Sequence, residues 1–153
     1  MKKIYIQLSY IRNTLSFFAI ISALTFTQTV SAEDQTIDML NKLGKENMVF
    51  SKKIVKINIG EKVFWKGVKK GHNVEFIKGG VSEGVGKFRC ALSKDTEYKF
   101  EIPGIYAYWC IPHKGMGMIG FVVGNDKSNL DPVKNIKYLG KSKAIAAALL
   151  SSL

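Results

Sequence analysis

Apolar and polar positions alternate in short runs through the middle of this chain. Val55-Lys56-Ile57-Asn58-Ile59 has the period of two that turns one strand face to a core, and Gly60-Glu61 interrupts it. Lys62-Val63-Phe64-Trp65-Lys66 reads as the return strand. Tyr98-Lys99-Phe100-Glu101-Ile102 alternates again, Pro103-Gly104 is a turn dipeptide, and residues 105–110 form the next strand. On that strand Tyr106, Tyr108 and Cys110 share one face, while Ala107 and Trp109 share the other. Residues 119–123 close the set. Short strands at this spacing, without helices between them, predict an all-β antiparallel sandwich or barrel.

The two ends differ from this pattern. Asp131-Pro132 marks a helix start with Pro at the first helical position, and Gly140 is read as its stop. A second helix is expected from Ser142 through the Ala/Leu-rich tail. Both helices are expected to cap the sandwich; a dimer contact through Ile145, Leu149 and Leu150 is the alternative. At the other end, Lys2, Lys3 and Arg12 precede and flank an apolar run, no acidic residue occurs in residues 1–32, and Val30-Ser31-Ala32 supplies a small-residue cleavage pattern. Residues 1–32 therefore read as a cleaved secretory signal. The apolar run is shorter than the roughly 20 residues of a spanning helix, which argues against stable membrane insertion. The expected organisation is a signal at 1–32, a β-sandwich domain at 33–124, and a helical extension at 125–153 packed on the same domain.

Charge changes the picture modestly. The net charge of +11 falls to +8 once the three leader cations are removed, a surface that steers encounters with acidic partners. Export and the even spread of lysines argue against nucleic acid. Two cysteines in an exported chain ordinarily suggest a disulfide. Cys110 cannot both pair and bind metal, so a metal role leaves Cys90 as a small buried thiol.

The chemistry concentrates in Cys110-Ile111-Pro112-His113-Lys114-Gly115-Met116-Gly117-Met118, with the only other histidine, His72, in Gly71-His72-Asn73-Val74. A Cys and two His with a weak axial Met are the donors of a blue-copper electron-transfer centre. A strand feeding Cys110, a loop through His113 and another strand supply the rigid cradle such a site needs.

These residues carry a resemblance. Asp38-Met39-Leu40-Asn41-Lys42, Met48-Val49-Phe50, Lys70-Gly71-His72-Asn73-Val74-Glu75, Pro103-Gly104, Cys110-x-Pro112-His113 and Met116-Gly117-Met118 are similar to the pseudoazurins, within the cupredoxin family, along essentially the whole mature chain. The resemblance implies a Greek-key β-sandwich with two short C-terminal α-helices and one type 1 copper ion. It implies His72, Cys110, His113 and Met118 as ligands, because eight residues separate Cys and Met in the pseudoazurin loop; the six of the amicyanin loop would select Met116. Met116 then packs, Met48 lies near the His113 ring, Pro112 shapes the loop, and the Asn73 N–H bonds the thiolate. The chain departs from the family at Ile111, where relatives carry Thr or Ser, so the tie to Asn73 has only the backbone. His113 is expected to expose its ring edge in a docking patch, with Lys42, Lys70, Arg89 and Lys114 around it and Trp109 either exposed for docking or packed beneath the helices.

The function implied is a monomeric periplasmic electron shuttle to an acidic redox partner, a copper nitrite reductase or a cytochrome. Copper delivery is disfavoured because the ligands come from separate strands of a closed fold. An oxidase or reductase needs a second, histidine-rich copper, and both histidines are committed. Zinc prefers four strong ligands, of which a thioether is not one. No enzymatic activity is expected.

Overall fold

The structure, a computed structural model, describes residues 34–153; the expected signal peptide at 1–32 lies outside the described residues. Eight strands and two helices follow in order. They are β1 (Gln35–Leu43), β2 (Glu46–Phe50), β3 (Ile54–Ile57), β4 (Lys62–Lys66), β5 (Glu75–Phe76), β6 (Thr96–Lys99), β7 (Gly104–Trp109), β8 (Ile119–Gly124), α1 (Leu130–Lys134) and α2 (Lys141–Ser151). One sheet has the order β2-β1-β4-β6 and the other β3-β8-β7-β5, forming an open sandwich rather than a closed barrel.

The sandwich and the helices agree with the sequence reading, but the pairing is not purely antiparallel. β1 runs parallel to β4, and β3 runs parallel to β8. The reading of β3 and β4 as a hairpin is also corrected: they belong to opposite sheets. The turn between them carries the chain across the sandwich and is tied to Phe100, with the Gly60 N–H donating to Phe100 O and the Phe100 N–H to Glu61 O. Asn58 Nδ2 donates to Glu61 Oε1 at 2.6 Å, which gives the nearly buried carboxylate a partner.

Two cores result. Between the sheets, Ile37, Met39, Val63 and Trp65 meet Val55, Ile57, Tyr106, Tyr108 and Val122, and this core also contains Cys110 and Met118. Outside the second sheet, Ile105, Ala107, Ile119, Phe121 and Val123 pack against Val133, Ala146 and Leu150 of the helices. Tyr106, Tyr108 and Cys110 thus face one core and Ala107 and Trp109 the other, as alternation predicts. Ile145 and Leu149 also pack on this outer core, so the helices cap the sandwich as expected. Burying a side chain such as Leu150 contributes about 1.5–3 kcal/mol.

The helix boundaries differ from expectation. α1 is a single short helix with Pro132 at its third position, and it ends at Lys134, well before Gly140. Gly140 is instead the N-cap of α2. The side chain of Asn129, ahead of α1, is spent on the sheet: its Oδ1 accepts from the Ile105 N–H at 2.7 Å and its Nδ2 donates to Ile105 O at 2.8 Å.

Candidate metal centre

β7 delivers the Cys110 side chain to the inner core at the end of the sandwich. The next residues form a short 3-10 turn, Ile111–His113, with Pro112 at its second position, and the His113 N–H donates to Cys110 O at 3.0 Å. The loop then returns. Met116 N–H donates to His113 O at 2.9 Å, and Cys110 N–H donates to Met118 O at 3.0 Å, which clips the two ends of the loop together. His72 arrives from the segment before β5. The Gly71 N–H donates to Ser93 Oγ at 2.9 Å and the Ser93 N–H to His72 O at 2.8 Å.

Three donors converge. His72 Nδ1 lies 3.2 Å from His113 Nδ1 and 3.8 Å from Cys110 Sγ, and His113 Nδ1 lies 3.3 Å from Cys110 Sγ. A circle through these atoms has a radius of about 2.0 Å, the length of a bond from a first-row metal to nitrogen. His72, Cys110 and His113 form the one His/Cys/Asp/Glu cluster able to hold a metal ion among the described residues. A thiolate, two imidazoles and a neighbouring thioether suit copper.

The two methionines separate by burial. Met118 is fully buried in the core that contains Cys110, whereas Met116 is 47% exposed. Met116 and half-buried Met48 line a cavity of about 250 Å³ with Lys141 and Ile145.

Second contacts fix the donors. His72 Nε2 is 2.8 Å from Asn41 Oδ1; that acceptor requires the proton on Nε2 and leaves the lone pair on Nδ1, which faces the site. The Asn73 N–H donates to Cys110 Sγ at 3.5 Å, and Asn73 Oδ1 accepts from the Ile111 N–H at 2.9 Å. The tie across Ile111 therefore runs through the backbone. Asn73 Nδ2 donates to Cys90 O at 3.3 Å, and the adjacent Val74 N–H donates to Cys90 Sγ at 3.1 Å. Cys90 is a free, half-buried thiol packed on the inner core. Asn41 acquired no role from sequence, because nothing in an exposed Asn near a strand end signals a partner 31 residues away.

Burial, and then the charge of His113, lowers the basicity of His72; burial does the same to His113. Burial pushes the Cys110 thiol up, while the N–H groups of Asn73 and His113 pull it back. Both rings are thus neutral at pH 7, the form that binds metal, and metal uptake must release the Cys110 proton.

Of the expected docking residues, Lys42, Lys70 and Arg89 are exposed, and Lys114 and Trp109 are half-buried. Lys114 Nζ stands 5.0 Å from the centre of the Trp109 ring, and Trp109 Nε1 donates to Glu75 Oε2 at 2.8 Å. Trp109 packs against the outer core and also lines an open groove of about 530 Å³ with Phe76, Phe88 and Arg89.

Residues 37–125 match the model of copper-binding proteins of the plastocyanin/azurin family. The chain is 39% identical over 110 residues to a putative pseudoazurin of Rhizobium leguminosarum bv. viciae, covering 71% of this chain and 72% of the relative. It is 36% identical over 113 residues to the pseudoazurin of Paracoccus pantotrophus, covering 73% and 78%. The crystal structure of native pseudoazurin from Hyphomicrobium denitrificans superposes with a TM-score of 0.76 at 30% identity, covering 79% of this chain and 98% of that one.

Proposed function

The chain belongs to the plastocyanin/azurin family of copper-binding proteins and, within it, to the pseudoazurins, and from this premise we propose that His72, Cys110, His113 and Met118 hold its copper. The protein is a blue-copper electron-transfer protein and not an enzyme. Copper, when bound, supplies a one-electron change between Cu(II) and Cu(I).

The chain's own groups do the rest. Asn41 holds His72 in the tautomer that presents Nδ1. The Asn73 N–H donates to the Cys110 sulfur and thereby lowers its electron donation. Met118, buried beside Cys110, is the weak fourth donor, and exposed Met116 stays outside. His113, half-buried at the loop, is the route by which an electron leaves or enters.

We further propose a monomer that works in the periplasm after cleavage behind Ala32. Its partner is an acidic-surfaced redox protein such as a copper nitrite reductase, met by Lys42, Lys70, Arg89 and Lys114 around His113. The rate of such a reaction falls as salt rises.

The convergence of three donors around one point carries this reading. The visible and electron paramagnetic resonance spectra of the copper-loaded protein test it. An intense thiolate-to-copper band is expected; a colourless product with an alkylatable Cys110 would overturn the assignment. Met118→Ala is expected to shift the potential while keeping copper, and Met116→Ala to leave it in place. The reverse pattern would move the fourth donor to Met116.

A further inference from the structure

The loop from His113 to Met118 is gripped from outside by the first turn of α2. Ser142 is fully buried, and its hydroxyl donates to Lys114 O at 2.6 Å. The Lys141 N–H donates to Gly115 O at 2.9 Å. Gly140, at φ +52°, lies so close that a Cβ there would stand 2.3 Å from Gly115 O. Ile145 covers Gly117, where a Cβ would stand 2.6 Å from Ile145 Cδ1. Lys114, Gly115 and Gly117, three of the four residues between the two ligands, each touch the helix.

The arrangement is reciprocal. A helix start leaves N–H groups without partners, and α2 has no side-chain cap. A loop carbonyl fills that need at Lys141, and the helix in turn holds the loop carbonyl of Lys114. Lys114-Gly115-Met116-Gly117 is rich in glycine and has little conformational preference of its own. Beyond its Nδ1 contacts to His72 and Cys110, His113 has no ring partner among the described residues, so the loop backbone is the remaining support of its ring.

We propose that the N-terminal turn of α2 sets the position of the metal-binding loop, with Ser142 as a positioning residue for His113 and Met118. The proposal rests on those two residues being ligands. Loss of an outer partner of a metal ligand typically lowers affinity about 10–100-fold. Ser142 acts through the backbone, which puts it at the low end.

Three variants of the full protein test this. Ser142→Ala removes the hydroxyl and Ser142→Thr keeps it. Ala146→Gly weakens α2 at a buried outer-core position one turn beyond Ser142. Ser142→Ala should lower copper affinity about tenfold and shift the reduction potential and the visible spectrum. Ser142→Thr should restore most of each, and Ala146→Gly should lower the melting temperature alone. In the metal-free protein, amide exchange at Met116 and Met118, whose N–H groups donate to His113 O, should rise about threefold to tenfold in Ser142→Ala, as for one lost hydrogen bond.

If Ser142→Ala and Ala146→Gly give the same potential, spectrum and loop exchange, the positioning role is overturned. Should Ser142→Ala not fold, Ile145→Val, which deletes the methyl over Gly117, must give the same changes in smaller measure, and its failure to do so counts equally against the proposal. Wild-type protein that takes up no copper would sink the ligand assignment. The exchange rates of the metal-free loop would still decide whether α2 holds it.

Discussion

His72 and His113 turn the same ring nitrogen to the same point, yet unlike means hold them. His72 is fully buried; its far nitrogen bonds Asn41, its carbonyl bonds Ser93, and the next residue ties Cys110, Ile111 and Cys90 together. His113 is half-exposed on a short loop whose outer support comes from a helix at the chain's end. One half of the centre is part of the sandwich, and the other is mounted on it. Rigidity can be built into the first half by strand and loop pairing, while adjustment and access belong to the second.

Removing each ring breaks the comparison most sharply. His113→Gly should open a gap at the surface that free imidazole enters, restoring colour to the copper-loaded protein. His72→Gly leaves a hole sealed inside the protein, and imidazole should not rescue it. Equal rescue of both, read by visible absorption, would show that the two sides are not distinct.

A smaller effect is expected at Asn41. Asn41→Ala frees the His72 tautomer and should lower copper affinity about tenfold, measured by competition with a chelator. Among the described residues, the far ring nitrogen of His113 has no equivalent partner to remove.

The smallest effect is in pH. Both rings are less basic in the folded metal-free protein than their ordinary value of 6.5, so the unfolded chain binds more protons below that pH. Metal-free stability should therefore decline as pH falls through 6.5 toward the depressed folded values. The raised Cys110 thiol acts oppositely, and stability should decline above its ordinary value of 9.0. Melting temperatures of the metal-free protein should be highest between those limits. A flat profile from neutral pH down to about pH 5 would mean that the rings are not held neutral.

Much of this was legible in the sequence, for identifiable reasons. β3, β4 and β6 alternate because one face meets a core and the other meets water. β7 and β8 read as near-continuous apolar runs because the helices cover their outer face. The parallel pairings were not legible, since a local pattern fixes which face is buried and says nothing of which distant strand lies alongside. Gly140 misled for a related reason: its glycine suits the end of one helix as well as the start of the next. At the site, Cys110 and His113 stood out by spacing and His72 by scarcity, while Met118 was preferred to Met116 only through the resemblance of the loop. Asn41 and Ser142 did not, because each acts through a contact made only after folding.

Trp109 is joined by a peptide bond to Cys110 and lies beneath the Lys114 ammonium, one residue past His113. The other indole, Trp65, is sealed in the inner core. The protein therefore contains its own lamp at the metal loop: Trp109, the more exposed of the two, should give the redder emission. Its dimming as copper binds would report from inside the molecule, without any attached dye, when the site takes up its ion.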